Sequence, residues 1–254
     1  MKNLFKFILN TIPRPILLKV SFWIRPLIAW VLKGKAFTDP IDGKSYSKFL
    51  PYGYQNQRSN VLAPGTFSLE RHRLLWLFLK NKTDFFTAPK NVLHMAPEQC
   101  FLDLFRKQKN LKYVTADLYS PLADVKADIC NLPFKENEFD VIFCNHVLEH
   151  INDDAKAMSE LYRVLKPGGM GIFQIPQDLS LENTYEDFSI TSSNERAKHF
   201  GQYDHVRIYG KDYFERLRSV GFIVEEVNYS ATLSTNEIEK YCLVKGEIIP
   251  FCTK

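Results

Sequence analysis

The pattern of apolar and polar positions changes character near residue 89. Beyond it, short apolar runs alternate with stretches of helical spacing. Strands are predicted at 91–96, 111–117, 124–129, 139–145, 170–176 and 221–228, with another near 240–248, and helices at 98–108, 146–150, 153–165 and 211–220. Such alternation argues for a parallel, doubly wound α/β sheet. Before residue 89 the order is looser. Ser68 to Lys80 has helical spacing with Ser68 as the N-cap candidate, and its Glu70, Arg71, His72 and Arg73 either face a ligand or form a solvated helix surface. Asp39-Pro40-Ile41-Asp42-Gly43 and Ala63-Pro64-Gly65-Thr66 read as Pro/Gly turns. The first 38 residues are apolar but are broken by Pro13, Pro15, Lys19, Arg25 and Pro26, a poor match to the ~20 apolar residues of a membrane span.

Charge sharpens the picture of that first segment. Every charge before Asp39 is positive (Lys2, Lys6, Arg14, Lys19, Arg25, Lys33, Lys35), with Phe22, Trp23, Leu27 and Trp30 between them. Residues 1–35 therefore either lie in the interface of an anionic membrane leaflet or pack as helices on the domain. Elsewhere the signs are interspersed, and a net charge of +4 does not argue for nucleic acid. A chain of 254 residues that is 45% hydrophobic can bury the core of one α/β domain with an N-terminal extension. Five scattered cysteines, without a Cys-x-x-Cys pair or a cleavable signal, point to a reducing cytoplasm, with peripheral association at the inner face of the membrane as the further expectation for residues 1–35.

The most informative stretch runs from Phe139 through Asn145-His146-Val147-Leu148-Glu149-His150 to Lys166-Pro167-Gly168-Gly169. An apolar strand ends in small polar residues, a helix follows, and a turn leads to the next apolar run, so the polar tip lies where open α/β sheets bind ligands. These residues resemble motif IV and the post-motif region of class I S-adenosylmethionine (SAM) dependent methyltransferases, in particular the methyltransferase type 11 family, and the resemblance extends over about residues 90–230. It implies a Rossmann-like, mostly parallel seven-stranded sheet with an N-terminal helical extension. The corresponding segments are 1–38 (basic and amphipathic), 39–88 (a knuckle-like loop and helix cap) and 89–254 (the SAM-dependent methyltransferase domain). It also implies SAM as cofactor and a small-molecule, lipid or glycan acceptor.

The site residues follow motif by motif. Val92 to Cys100 stands where the family usually writes Val-Leu-Asp-x-Gly-x-Gly-x-Gly, yet contains no glycine. A subgroup with the same Ala-Pro-Glu wording implies that His94, Ala96 and Glu98 line the cofactor, with Asn145 and His146 near the methyl donor; the plain alternative is a strand-to-helix turn. Asp117 ends the second strand, where an acid accepts from both ribose hydroxyls. Asp128 matches the family's position beside adenine, with Leu118 and Ile129 as apolar wall. In the long segment after residue 176, Gln202, Tyr203, His205 and Arg207 are acceptor-side candidates, or else Asp204, His205 and Arg207 form a salt-bridged cap. For a hydroxyl acceptor, His146 or His205 would take the proton.

Two metal sites compete with this reading. His146 to His150 spells His-x-x-Glu-His, which on a helix lets two imidazoles share a zinc ion, but that site needs a further distant ligand and His146 directly follows a strand. Relatives carry Cys-Pro-x-Cys where Asp39, Asp42, Ala63 and Thr66 stand here, so no thiolate remains. No metal is expected. A second functional class stays open: a catalytically silent SAM-fold binding module at the membrane surface. A dehydrogenase is disfavoured, since Gly-x-Gly-x-x-Gly occurs nowhere.

Overall fold

The computed structural model describes residues 14–53 and 57–254, with side chains from residue 23 onward. The expectations on Lys2, Lys6 and the Phe22 side chain lie outside the described residues. Two compact units are present: residues 1–83 with 229–247, and residues 84–228 with 248–254. The first unit therefore takes in 229–247, which the sequence pattern had grouped with the methyltransferase segment.

In the first unit the helix Arg14–Val31 runs through Pro26. Two short antiparallel pairs follow: β1 (Lys33–Thr38) with β2 (Ser45–Tyr46), and β3 (Leu50–Tyr52) with β4 (Arg58–Leu62). The helix Glu70–Lys82 comes next. Its Arg73 neither faces a ligand nor is solvated. Fully buried, it donates to the carbonyls of Val61 (2.9 Å), Ser68 (2.8 Å), Tyr241 (2.7 Å) and Cys242 (2.9 Å), so one guanidinium ties together β4, the turn before its own helix and residues 241–242. Ser68 is not the N-cap. Leu69 holds that place, and the Nδ1 of His72 accepts from its amide at 3.0 Å.

The two Pro/Gly turns meet. The buried Asp39 carboxylate accepts from the Thr66 hydroxyl, from the Ser68 hydroxyl (3.2 Å) and from the Ile41 amide (3.0 Å). A hydrogen-bonded tie thus joins the two turns through Asp39 and Thr66. Burial raises the pKa of Asp39, opposed by those same bonds.

The strand expected near 240–248 stands slightly later, at Ile249–Thr253; residues 241–248 form turns, and a helix, Thr235–Lys240, precedes them. A reciprocal cap sets the start of that helix, with Ser234 Oγ accepting from the Glu237 amide (3.2 Å) and Glu237 accepting from the Ser234 amide (2.9 Å). Glu247 closes this segment. Burial lifts its pKa to about 7, with Glu70 adding to the shift and Arg71, Arg58 and Arg73 opposing it. The folded state therefore binds more protons than the unfolded chain between the ordinary value of 4.5 and about 7, and stability falls as pH rises through that window. Glu247→Gln removes the penalty. Its melting temperature should exceed that of the parent at pH 8, and the gap should close near pH 4.5; at about 1.4 kcal/mol per pH unit the gain is on the order of 1–3 kcal/mol. Calorimetric melts at the two pH values check this.

The second unit is built on one sheet. Its strands are β5 (Lys90–Met95), β6 (Leu111–Asp117), β7 (Val125–Lys126), β8 (Phe139–Cys144), β9 (Leu165–Ile172), β12 (Ile223–Val227) and β13 (Ile249–Thr253), with β10 (Tyr185–Glu186) and β11 (Arg207–Ile208) pairing outside it. The order is β12-β13-β9-β8-β5-β6-β7, parallel throughout except for β13, which is antiparallel to both neighbours. This is the mostly parallel seven-stranded sheet that the motifs implied. Val92, Leu93, Val141, Ile142 and Phe143 are almost wholly buried, as central strands covered on both faces require. Helices Gln99–Arg106, Asp154–Val164 and Tyr213–Ser219 contribute Phe105, Leu161 and Leu217 to the interior.

Residues 146–150 do not form the expected α-helix. The chain turns at His146 (φ 54°) and makes only a 3-10 turn, Leu148–His150. His146 and His150 are thus not successive residues on one helical face. The long segment after β9 is ordered by the helix Ser193–Phe200, whose Ser192 cap accepts from the Glu195 amide at 3.3 Å, and by the β10–β11 pair.

Candidate functional site

From β5 the chain steps outward to β6 and β7, then returns to β8 on the other side of β5. The connections diverge there, leaving a crevice at the carboxyl ends of β5 and β8. Both strand ends turn through left-handed residues, Ala96 (φ 47°) and His146 (φ 54°). That backbone region costs a non-glycine residue about 1–2 kcal/mol and concentrates at functional turns. Ala96 thus adopts the conformation that the family's glycines permit, and its amide donates to the Ala116 carbonyl at 2.8 Å.

Glu98 spans the crevice. One carboxylate oxygen lies 2.6 Å from His94 Nε2, and the other accepts from Asn145 Nδ2 at 3.2 Å; Asn145 Oδ1 in turn accepts from the Gln174 amide at 3.1 Å. His94 is placed differently from expectation. It is fully buried, with its Nδ1 2.7 Å from the Tyr113 hydroxyl and its ring edge-on to Phe143 at 5.5 Å, so it supports Glu98 rather than touching a ligand. Burial and the Glu98 charge push Tyr113 well above its usual pKa, keeping it a hydroxyl donor. Nothing in the sequence marked Tyr113, whose role depends on the packing around His94.

Asp117 ends β6 next door. Its Oδ1 accepts from the amides of Tyr119 and Ser120, both at 2.6 Å, which fixes a loop exposing Leu118 and Tyr119. Asp128 is exposed and accepts from the Cys130 amide at 2.9 Å. Ile129, by contrast, is buried among core residues and offers no open face to a ring.

A second cluster lies beyond β8. Glu149 is 1% exposed; its Oε1 sits 3.3 Å from His146 Nδ1, and its Oε2 is buried with no hydrogen-bond partner among the described residues. Burial favours its neutral form, but the His146 hydrogen bond and the charges of His146 and His150 outweigh this and lower the pKa. The rings of His150 and His205 stand 4.7 Å apart at 81°. Burial depresses the pKa of His205, against the pull of Glu149. Sequence spacing suggested Glu149 and His150 only for the protease-like reading; their meeting with His205 needed the fold.

Arg207 borders a cleft with Gln202 and His205, but its guanidinium is committed inward. Fully buried, it donates to the carbonyls of Leu148 (3.0 Å), Ile151 (2.5 Å) and Asn152 (2.9 Å) and pairs with Glu186 at 2.8 Å, anchoring the insertion to the turn after β8. Nor do Asp204, His205 and Arg207 form a mutual cap: Asp204 pairs instead with His150 (3.5 Å) and accepts from Gln202 (2.9 Å). Gln202, His205 and Arg207, with Pro176, Phe200 and Ile208, line this cleft of about 260 Å³. Tyr203 is exposed and does not line it.

A family model for the methyltransferase domain matches residues 83–173. A 2-phytyl-1,4-naphtoquinone methyltransferase of Nostoc punctiforme is 33% identical over 116 residues, covering 41% of this chain and 50% of that protein. The ubiquinone/menaquinone biosynthesis C-methyltransferase UbiE of Edwardsiella ictaluri is 40% identical over 68 residues, 26% of this chain and 27% of that protein. The chain spans half or less of the length of these curated relatives. Among solved structures, the [4+2]-cyclase SpnF aligns with a TM-score of 0.50 at 15% identity, covering 92% of this chain and 95% of that one, a likeness of fold. Residues 83–173 thus match the methyltransferase domain family, and motif order and sheet topology agree with that match.

Proposed function

We propose that the protein is a SAM-dependent methyltransferase acting on a small-molecule or lipid acceptor that enters the cleft lined by Phe200, Gln202 and His205. The observation that carries this is the row of carboxylates on neighbouring strand ends: Glu98 bonded to Asn145 across the crevice, Asp117 after β6 and Asp128 after β7. The residues fit the cofactor, because Ala96 keeps the left-handed turn without a glycine and adds only a methyl group. Glu98 and Asn145 would face the amino-acid end, Asp117 would accept from the ribose hydroxyls, and Asp128 and Leu118 would border the base. The cofactor supplies a methyl group on a sulfonium, itself a good leaving group. The protein's work is then alignment, which contributes about 7–11 kcal/mol in well-oriented reactions. For a hydroxyl acceptor the imidazoles at hand to take the proton are His146 and His205.

Calorimetry of the purified protein with SAM, S-adenosylhomocysteine and NAD tests this. Binding of the first two and not the third is expected. Failure to bind SAM sinks the proposal, and SAM binding without methyl transfer to any of a panel of quinols, phenols and lipids leaves the silent binding module.

We further propose that the helix Arg14–Val31 rests on an anionic membrane surface. Trp23, Leu27 and Trp30 follow one helical face and are 85%, 61% and 74% exposed, while Arg25 turns inward over the Phe67 ring. Among the described residues no helix is long and apolar enough to cross a membrane. The protein should sediment with anionic vesicles at low salt and be released at 1 M salt, where screening shortens to about 3 Å. Trp23→Ala combined with Trp30→Ala should weaken binding at both salts. Equal sedimentation with neutral and anionic vesicles would refute the interfacial reading.

A further inference from the structure

We propose that Glu149, His150 and His205 bind one divalent first-row transition-metal ion, with coordination positions left open to an oxygen of a molecule in the cleft that His205 lines. One ligand atom of each residue lies within 4.8 Å of the others. Two imidazoles and a carboxylate are a donor set suited to zinc, manganese, iron or cobalt, and three protein ligands are what a site with an open position carries. The set is not that of the His-x-x-Glu-His motif: Glu149 takes the place of His146 as a ligand, and the insertion supplies the third donor, an imidazole.

The orientation of each donor supports the site. His150 Nδ1 lies 3.2 Å from the Asp204 carbonyl and His205 Nδ1 3.2 Å from the Phe200 carbonyl. A carbonyl only accepts, so each Nδ1 carries the proton and each Nε2 presents its lone pair, an arrangement that recurs behind metal-bound histidines. The two rings meet nearly edge to face at 4.7 Å. On the carboxylate, His146 occupies Oε1 while Oε2 is buried with no hydrogen-bond partner among the described residues, a polar atom whose desolvation an ion would offset. With metal–nitrogen bonds of about 2.1 Å, donors on one ion sit about 3–4 Å apart, so the cluster must close by about 1 Å. His150 can supply this, its side chain being 29% exposed.

Metal binding does not depend on methyl transfer. If the methyltransferase reading also holds, an ion there would bind and polarise the acceptor's oxygen, and His205 would serve as a ligand, leaving His146 as the free imidazole.

The test is titration of chelator-treated protein with Co2+, followed by visible absorption, and then displacement by Zn2+. One Co2+ per chain is expected. His205→Gln and His150→Gln should each weaken binding by about a hundredfold and Glu149→Gln by about tenfold or more, while His199→Gln, on the exposed helix Ser193–Phe200, should leave it unchanged. Circular dichroism shows which variants fold, and a Zn2+-induced rise in melting temperature that is lost in the His205→Gln protein is the second readout should another variant unfold. No stoichiometric Co2+, or a signal that survives both histidine substitutions as an adventitious ion only, overturns the proposal. SAM calorimetry on the same preparation separates this outcome from failure of the methyltransferase reading.

Discussion

Arg207→Leu should destabilise the second unit by about 3–5 kcal/mol, the range for leaving buried partners of a charge uncompensated. Glu186 would lose its 2.8 Å bond, the Leu148, Ile151 and Asn152 carbonyls would lose their donor, and Asp154 would lose its 3.7 Å ion pair with Arg207 while keeping Arg216 (3.0 Å) and the Tyr209 hydroxyl (2.9 Å). For a chain of this size the melting temperature should drop by roughly 10 °C or more. Arg207→Lys should recover part of the loss, since one ammonium reaches one or two of these acceptors but cannot bridge them as a planar fork does. Thermal denaturation read alongside SAM affinity well below the melting point discriminates the roles. A stable Arg207→Leu protein with only a raised acceptor KM would mean that the guanidinium faces the acceptor after all.

Arg207 also shows where the sequence stops being legible. The run that became β8 could be read because a strand buried on both faces is apolar almost throughout, β5 and β6 because each keeps a short apolar centre, and Asp117 and Asn145 because chain order places strand ends at the crevice. A histidine or arginine carries no such mark. The partners that Tyr113 and Glu98 offer to both ring nitrogens of His94 are invisible in the sequence, and so are those of Arg207, which borders the cleft while partners as far as 59 residues away in sequence hold its guanidinium. Ile129 follows an acid at an expected position, yet the core takes its side chain. The 3-10 turn at 148–150 was hidden for a different reason: Leu-Glu-His has helical composition, but the strand before it ends in a left-handed residue that redirects the chain.

Asp117 is where loop architecture and ligand binding can be separated by a pair of substitutions. Its Oδ1 holds the amides of Tyr119 and Ser120 at 2.6 Å, so the carboxylate both shapes the loop after β6 and, in the methyltransferase reading, accepts from the ribose. Asp117→Ala removes both functions, and losing hydrogen bonds to a charged acceptor should cost about 1.5–3 kcal/mol, roughly a tenfold to hundredfold rise in the SAM Kd. Asp117→Asn keeps an oxygen for the two amides but gives up the charge and replaces the second acceptor with a donor. Its loop should stay formed, and its Kd should rise by an intermediate amount, about tenfold. Asp187 offers a matched control: it caps Ser189 in the insertion by the same kind of bonds (amide 2.9 Å, hydroxyl 2.6 Å) but stands far along the chain from the strand ends. Asp187→Ala should leave SAM affinity unchanged. Calorimetric Kd values for the three variants, with melting temperatures within a few degrees of the parent, are the expected result, and an unaltered Kd for Asp117→Ala would remove Asp117 from the cofactor site.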